Sequence, residues 1–211
     1  MNRVKEILAT QLSEGLPGEE TFFQMGRYSR EERLAQLSKI EHPQESSTLL
    51  LLYPHNNDPH FVLIERNTYK GVHSGQIAFP GGRVEKEDPS LQDTALRETW
   101  EEVGALPENI EILGELTQVY IPPSNFMLYP FIGVTPTRPD FILDPHEVQD
   151  IIEVPLSHFL SDSILKKGKF DIGKNNLKIT APYFELGKHR VWGATAIVLS
   201  EFRNLLILGG Y

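Results

Sequence analysis

The chain has 211 residues, 20 basic against 29 acidic for a formal net charge of -9, with 40% hydrophobic and 23% charged residues. That is enough chain for one globular domain with an appendage, and the composition excludes a disordered or fibrous protein. The absence of cysteine excludes disulfide frameworks, thiolate zinc sites, iron–sulfur clusters and cysteine nucleophiles, and the acidic balance argues against binding nucleic acid through its phosphates.

The longest apolar run, residues 48–53, is far short of the roughly 20 residues that cross a bilayer. The start, MNRVKEILATQLSEG, carries charge through its apolar positions and does not read as a secretory signal, so the expected location is the cytoplasm. Val4, Ile7, Leu8 and Leu12 recur at helical spacing before the break Leu16-Pro17-Gly18, and residues 29–40 read as a second short helix. Residues 1–46 thus read as an N-terminal helical extension and residues 47–211 as the main domain.

Residues 48–52 and 61–64 read as two strands joined by the turn-rich His55-Asn56-Asn57-Asp58-Pro59, a hairpin. Ile77-Ala78-Phe79 then runs into Pro80-Gly81-Gly82, followed by a charged loop and a well-marked helix over 90–103. Strand patterns return at 110–116, 126–134 and 149–154, where Pro155 ends the run, and a last helix is expected over 200–206. Strands outnumber helices and separate them, which predicts an α/β fold with a mixed sheet and helices on its faces.

The helix over 90–103 is the most informative part. Ser90 with Asp93 resembles a capping box, and Gly104 stands where a left-handed cap falls. At about 100° per residue, Ala95, Leu96, Thr99 and Val103 share one arc, the buried side. Glu98, Glu101 and Glu102 share the arc beside it, because positions i, i+3 and i+4 are helix neighbours. Like charges so placed weaken an isolated helix by a few tenths of a kcal/mol per pair, and they call for a compensating cation. Hard oxygen ligands favour Mg2+ or Mn2+. A solvated acidic face is the other reading of the carboxylates taken alone. Upstream, Phe79-Pro80-Gly81-Gly82 ends a strand with two residues able to take positive φ and bring bare backbone against a ligand. By itself that is an ordinary turn. Followed by a loop and a helix bearing Arg97-Glu98-x-x-Glu101-Glu102-x-Gly104, it is a much rarer combination.

These residues resemble the Nudix hydrolase signature, G-x5-E-x7-R-E-U-x-E-E-x-G-U, where U is aliphatic. Gly82 is followed by five residues and Asp88, then eight residues and Arg97-Glu98-Thr99-Trp100-Glu101-Glu102-Val103-Gly104-Ala105. The departures are Asp88 for glutamate, one extra loop residue, Thr99 at an aliphatic position and the small Ala105. The resemblance implies an α/β/α sandwich and metal-assisted hydrolysis of a nucleoside diphosphate linked to another group. It makes Glu98 and Glu102 the main ligands of Mg2+ or Mn2+, with Glu101 assisting and the Gly82 carbonyl completing the shell. Arg97 lies on another side of the helix, where the resemblance implies an orienting ion pair and the residue alone also reads as surface charge.

The chemistry fits without the name. Metal ions neutralise and orient diphosphate oxygens and lower the pKa of bound water, and a nearby carboxylate can take the proton. Glu98 is one candidate for that base. Glu147, in Asp144-Pro145-His146-Glu147-Val148 before a strand, is another, since loops supply such bases in this family; it also reads as an exposed loop acid.

Just before the turn, Arg66-Asn67-Thr68-Tyr69-Lys70-Gly71-Val72-His73-Ser74-Gly75 resembles the coenzyme A pyrophosphatase branch, L-L-T-x2-R-[SA]-x3-R-x3-G-x3-F-P-G-G. Arg66, Gly75 and residues 79–82 align without gaps. Leu63, Asn67 and Gly71 stand at the threonine, serine/alanine and second arginine positions, with Lys70 beside Gly71. A 3′-phosphate on the ribose needs cationic partners, and Arg66 and Lys70 are the candidates, with Gly81 and Gly82 bringing backbone to the substrate. Both cations also read as ordinary surface charge. The loop over 120–126 and the segment 191–196 resemble the same branch. The expected substrate is coenzyme A or its thioesters, with ADP-ribose or another nucleotide conjugate as the rival and a non-catalytic nucleotide-sensing module as a reading of another class. The expected partner is a small-molecule nucleotide, with no nucleic acid and no membrane; a homodimer is left open.

Overall fold

Leu49, Leu50, Leu51 and Leu52 follow one another with no polar alternate, so the strand that carries them needs cover on both faces. The computed structural model, which describes residues 1–25, 31, 32, 35, 38, 40–67, 76–172 and 177–211, supplies that cover. In chain order the first elements are α1 (Asn2–Glu14), α2 (Phe22–Met25), β1 (Gln44–His55), β2 (Asp58–Arg66), β3 (Ile77–Ala78), β4 (Gly81–Arg83) and α3 (Leu91–Val103). Then come β5 (Glu111–Glu115), β6 (Val119–Ile121), β7 (Phe126–Val134), β8 (Val148–Pro155), α4 (Leu156–Phe159), β9 (Leu165–Ile172), β10 (Leu177–Leu186), β11 (His189–Val191) and α5 (Gly193–Leu208). On one face Leu49, Leu51 and Tyr53 pack with Val62, Ile64 and the α3 residues Ala95 and Val103. On the other, Leu50, Leu52, Phe61 and Leu63 pack with Leu199, Phe202 and Leu205 of α5. This is the predicted α/β/α sandwich.

β1 and β2 form the expected hairpin, with Leu52 opposite Phe61 and His55 opposite Asp58. Asn56 and Asn57 at its tip have φ of 48° and 62°, as a two-residue hairpin turn requires. Beyond Leu52 the two strands part and the segment 77–83 enters between them. Ile77 and Ala78 pair with β2, and Gly81, Gly82 and Arg83 pair with Thr48, Ser47 and Ser46 of β1. β8 borders β2 on its far edge, while β7 runs parallel to β1 from Gln44↔Phe126 to Leu52↔Val134 and carries β5 and β6. The sheet is therefore mixed.

Several expectations need correction. α5 begins at Gly193 rather than near 200; its N-cap, Trp192, makes no side-chain capping bond, so the start signal that marks α3 is missing. β9, β10 and β11 form a separate three-stranded sheet that is absent from the expected elements; β9 reads Leu-Lys-Lys-Gly-Lys-Phe-Asp-Ile without apolar alternation, whereas β10 carries Leu177, Ile179 and Ala181 at alternate positions. On α3 the buried residues are Thr94, Ala95, Thr99, Glu102 and Val103; Leu96 is only partly buried. The expected helix over 29–40 falls largely outside the described residues. Of the N-terminal segment, Val4 and Leu8 of α1 and Phe22 and Met25 of α2 belong to the same buried cluster as Leu50 and Phe202. Glu201, fully buried on α5, accepts bonds from the Gly18 amide at 3.1 Å and from the Thr117 amide and hydroxyl at 2.8 and 2.6 Å. Among the described residues no helix is long and apolar enough to cross a membrane.

Candidate active site

The parting of β1 from β2 places the glycine turn. The Pro80 carbonyl accepts from the Leu49 amide at 3.0 Å and the Thr48 hydroxyl at 2.6 Å. A side chain on Gly81, whose φ is 154°, would run into the Ser47 carbonyl and the Thr48 backbone, and one on Gly82 would overlap the Glu98 carboxyl. Two glycines in succession are what let the turn, β1 and α3 meet.

α3 is held as the sequence predicts. The Ser90 hydroxyl caps the Asp93 amide at 3.2 Å, and Gly104, in the left-handed region at φ 74°, closes onto the Trp100 carbonyl at 2.8 Å. Arg97 anchors the preceding loop through a fork onto Asp88, Nε to Oδ1 at 2.8 Å and Nη2 to Oδ2 at 2.9 Å. Asp88 also accepts from the Thr94 hydroxyl at 2.8 Å and the Glu85 amide at 2.9 Å. The guanidinium holds the Asp88 carboxyl well below the usual carboxylate range. Arg97 does more than lie on another side of the helix. Its Nη1 donates at 3.0 Å to both Glu98 and Glu101, and Nη2 donates to the Arg83 carbonyl at 3.1 Å.

The three glutamates sit at three depths. Glu101 is about half exposed, Glu98 mostly covered, and Glu102 buried, at 47%, 12% and 1% of side-chain exposure. One Glu102 oxygen accepts from Arg66 Nη2 at 2.6 Å and the other from the Gly81 amide at 2.8 Å. Burial pushes its carboxyl up to about 7, against the pull of Arg66 and the Gly81 amide, and raises Glu98 as well. Glu147 is exposed just before β8, and its charge adds to what raises Glu98 and Glu102. Sequence reasoning missed what sets this loop. Asn67 donates its amide to the Glu147 carbonyl at 2.9 Å and its side chain to the Pro145 carbonyl at 2.8 Å, and the Asp144 amide donates to the Glu102 carbonyl at 3.1 Å. The only signal was the place of Asn67 beside Arg66. Lys70, with His73 and Gly75, lies outside the described residues.

Among the described residues no three carboxylate or imidazole groups converge closely enough to hold an ion as they stand, and Arg66 and Arg97 are bonded to the glutamates. The donor set still fits one. Glu98, Glu101, Glu102 and Glu147 offer hard oxygens of the kind Mg2+ and Mn2+ prefer. Arg97 is already committed to Asp88, so these four carboxylates outnumber the positive charge beside them. The bare Gly82 keeps backbone, not side chain, against Glu98.

Against known proteins, the family model of the NUDIX domain matches residues 45–173. The chain is 36% identical over 143 residues to the human mitochondrial coenzyme A diphosphatase NUDT8, a match covering 67% of this chain and 60% of that protein's length. It is 32% identical to NudL, an uncharacterized Nudix hydrolase of Photorhabdus laumondii, over 68% of this chain and 75% of that one. A MutT/nudix family protein from Enterococcus faecalis shares the fold with a TM-score of 0.52 at 20% identity, covering 90% of this chain and 73% of that one.

Proposed function

The chain belongs to the Nudix hydrolase family, and from that premise we propose that it cleaves the diphosphate bridge of coenzyme A or its acyl thioesters. The products are 3′,5′-ADP and 4′-phosphopantetheine or its acyl derivative. The observation that carries the reading is buried Glu102, bonded to Arg66 and to the Gly81 amide, on the same helix as Glu98, whose carboxyl lies against Gly82 of the same turn. The name of the human relative, a coenzyme A diphosphatase, supports the substrate.

In this reading Glu98 and Glu102 hold Mg2+ or Mn2+, Glu101 assists, and the Gly82 carbonyl adds a neutral oxygen. Bound metal supplies charge neutralisation at the diphosphate and a water of lowered pKa. Glu147 takes the proton as the water oxygen attacks phosphorus, with Glu98 as the other candidate; the bridging oxygen leaves with the second phosphate. Gly81 and Gly82 leave room for a phosphoryl group against the backbone, Arg97 holds Glu98 and Glu101 in place from its anchor on Asp88, and Arg66 and Lys70 meet substrate phosphate. The cytoplasm as its compartment belongs to the same proposal, and fractionation of the producing cells checks it.

The test is to incubate the protein and Mg2+ or Mn2+ with coenzyme A, acyl-coenzyme A and ADP-ribose separately and to identify products by chromatography. Release of 3′,5′-ADP from the first two is expected. Rapid turnover of ADP-ribose with inert coenzyme A overturns the substrate, and no turnover of any diphosphate favours the sensing module.

A further inference from the structure

Arg66 and Arg97 both meet the glutamates of α3, but they are held unequally. Arg97 is locked by its two-bond fork on Asp88 and by the Arg83 carbonyl, so it stays in place whichever glutamate it releases. Arg66 has one carboxylate partner among the described residues. A single nitrogen, Nη2, makes the 2.6 Å bond to Glu102 and a long 3.4 Å bond to the Gly81 carbonyl. The Arg66 side chain is 23% exposed while Glu102 is 1% exposed, so the arginine has solvent to turn into and the glutamate has none.

We propose that Arg66 is an exchangeable counter-ion of the site. It neutralises buried Glu102 when no metal is bound, a divalent ion at the glutamates takes over that carboxylate, and the released guanidinium turns to a phosphate of the substrate. This rests on the reading of the site as a metal-dependent diphosphate centre. The physical reason for an exchange is that a buried carboxylate stripped of its partner is strongly unfavourable, so one cation has to replace the other. An arginine fork suits phosphate better than a point charge does. Two cations competing for Glu102 make metal binding and anion binding favour each other, and such a coupling is reciprocal.

The test has two arms, each on the full chain. In the first, Mn2+ alone is titrated at pH 8.5 by calorimetry. Arg66→Gln is expected to bind Mn2+ about fivefold or more tighter than wild type, because the competitor is gone; equal or weaker binding overturns the proposal. In the second, 3′,5′-ADP is titrated in EDTA. Glu102→Gln is expected to bind it about fivefold tighter than wild type, because Arg66 is released without metal, and Glu102→Gln with Arg66→Gln is expected to lose that gain. A gain that persists in the double variant, or no gain in the single one, overturns the proposal. If Arg66→Gln does not fold, Arg66→Lys takes its place, with the same order of affinities and a smaller spread. Coenzyme A left intact by the wild type while the Mn2+ effect is present removes the proposed substrate and leaves the exchange. Turnover of coenzyme A with no Mn2+ effect removes the exchange and leaves the function.

Discussion

Asp88 and Arg97, nine residues apart, close a two-bond fork at 2.8 and 2.9 Å that ties the loop after β4 to the side of α3. The Asp88 side chain is 5% exposed, and it also accepts from Thr94 and Glu85. Asp88→Ala takes the fork acceptor from the Arg97 guanidinium, the nearer of two acceptors from the Thr94 hydroxyl and the side-chain acceptor from the Glu85 amide. Thermal unfolding of that variant in EDTA is expected to show a loss of about 2 kcal/mol, roughly 5 °C in Tm, with kcat falling as Glu98 and Glu101 lose a fixed Arg97. An unchanged Tm removes the anchoring role.

The two glycines of the turn separate stability from activity. A methyl on Gly81 meets backbone that cannot move aside, whereas one on Gly82 meets the end of the Glu98 side chain. Gly81→Ala is therefore expected to lower stability by about 2 kcal/mol or more. Gly82→Ala is expected to keep most of the stability and lose activity. Chemical denaturation and steady-state assays on the pair check this, and equal losses of stability in the two count against it.

Glu102→Gln keeps the Gly81 amide bond but gives up a charged oxygen ligand. Turnover of the accepted diphosphate is expected to fall at least roughly 100-fold, with the Tm in EDTA close to that of wild type. Comparable activity in the variant refutes Glu102 as a ligand.

Acid weakens the fold through two forks. The Arg138 fork at 2.7 and 2.8 Å, helped by the Tyr53 hydroxyl at 2.9 Å, lowers the Glu153 carboxyl, as Arg97 lowers Asp88. Their ordinary values are 4.5 and 3.8. A depressed carboxyl means that the unfolded chain binds the proton first, so this stabilisation is complete above those ordinary values and is lost as pH falls below them. Glu102 and Glu98, which burial raises, act the other way because the fold binds their protons first, so stability from urea titrations is expected to rise from pH 7 to about 5 and to decline below about 4, with a shallower decline in Arg138→Met. A flat profile down to pH 3 contradicts it.

The boundary at 46 between an N-terminal extension and the main domain is a proposal that packing bears on. Deleting residues 1–25 removes Val4, Leu8, Phe22 and Met25 from the cluster around Phe202 and takes the Gly18 amide from Glu201. Four buried apolar side chains at roughly 2 kcal/mol each exceed what a marginally stable domain can lose without consequence. The truncated chain is expected to unfold at a much lower temperature or to aggregate; a Tm within 2–3 °C, about 1 kcal/mol, makes the extension dispensable.

What was legible in the sequence was local. The Ser90 cap, Gly104, the Asn56-Asn57 turn and the unbroken leucines of β1 each announce themselves, because backbone conformation and two-sided burial demand particular residues over short spans. The depth of Glu102 was not legible. Helical spacing puts it beside Glu98 and Glu101, but its cover comes from β2 and the glycine turn. The Asn67 clasp on the loop before β8 was hidden for the same reason, since it joins residues some eighty positions apart. β9 escaped because lysines occupy positions where apolar alternation would have revealed a strand, whereas Leu177, Ile179 and Ala181 of β10 alternate and carry a strand signal.

The segment 77–83 is hydrogen-bonded to β2 at one end and β1 at the other, and this freezes its length. Adding or removing a single residue there would force a side chain inward on one flank or the other and slide Gly82 away from Glu98. Relatives that keep the chemistry should vary in loop size on either side of these seven positions and never within them.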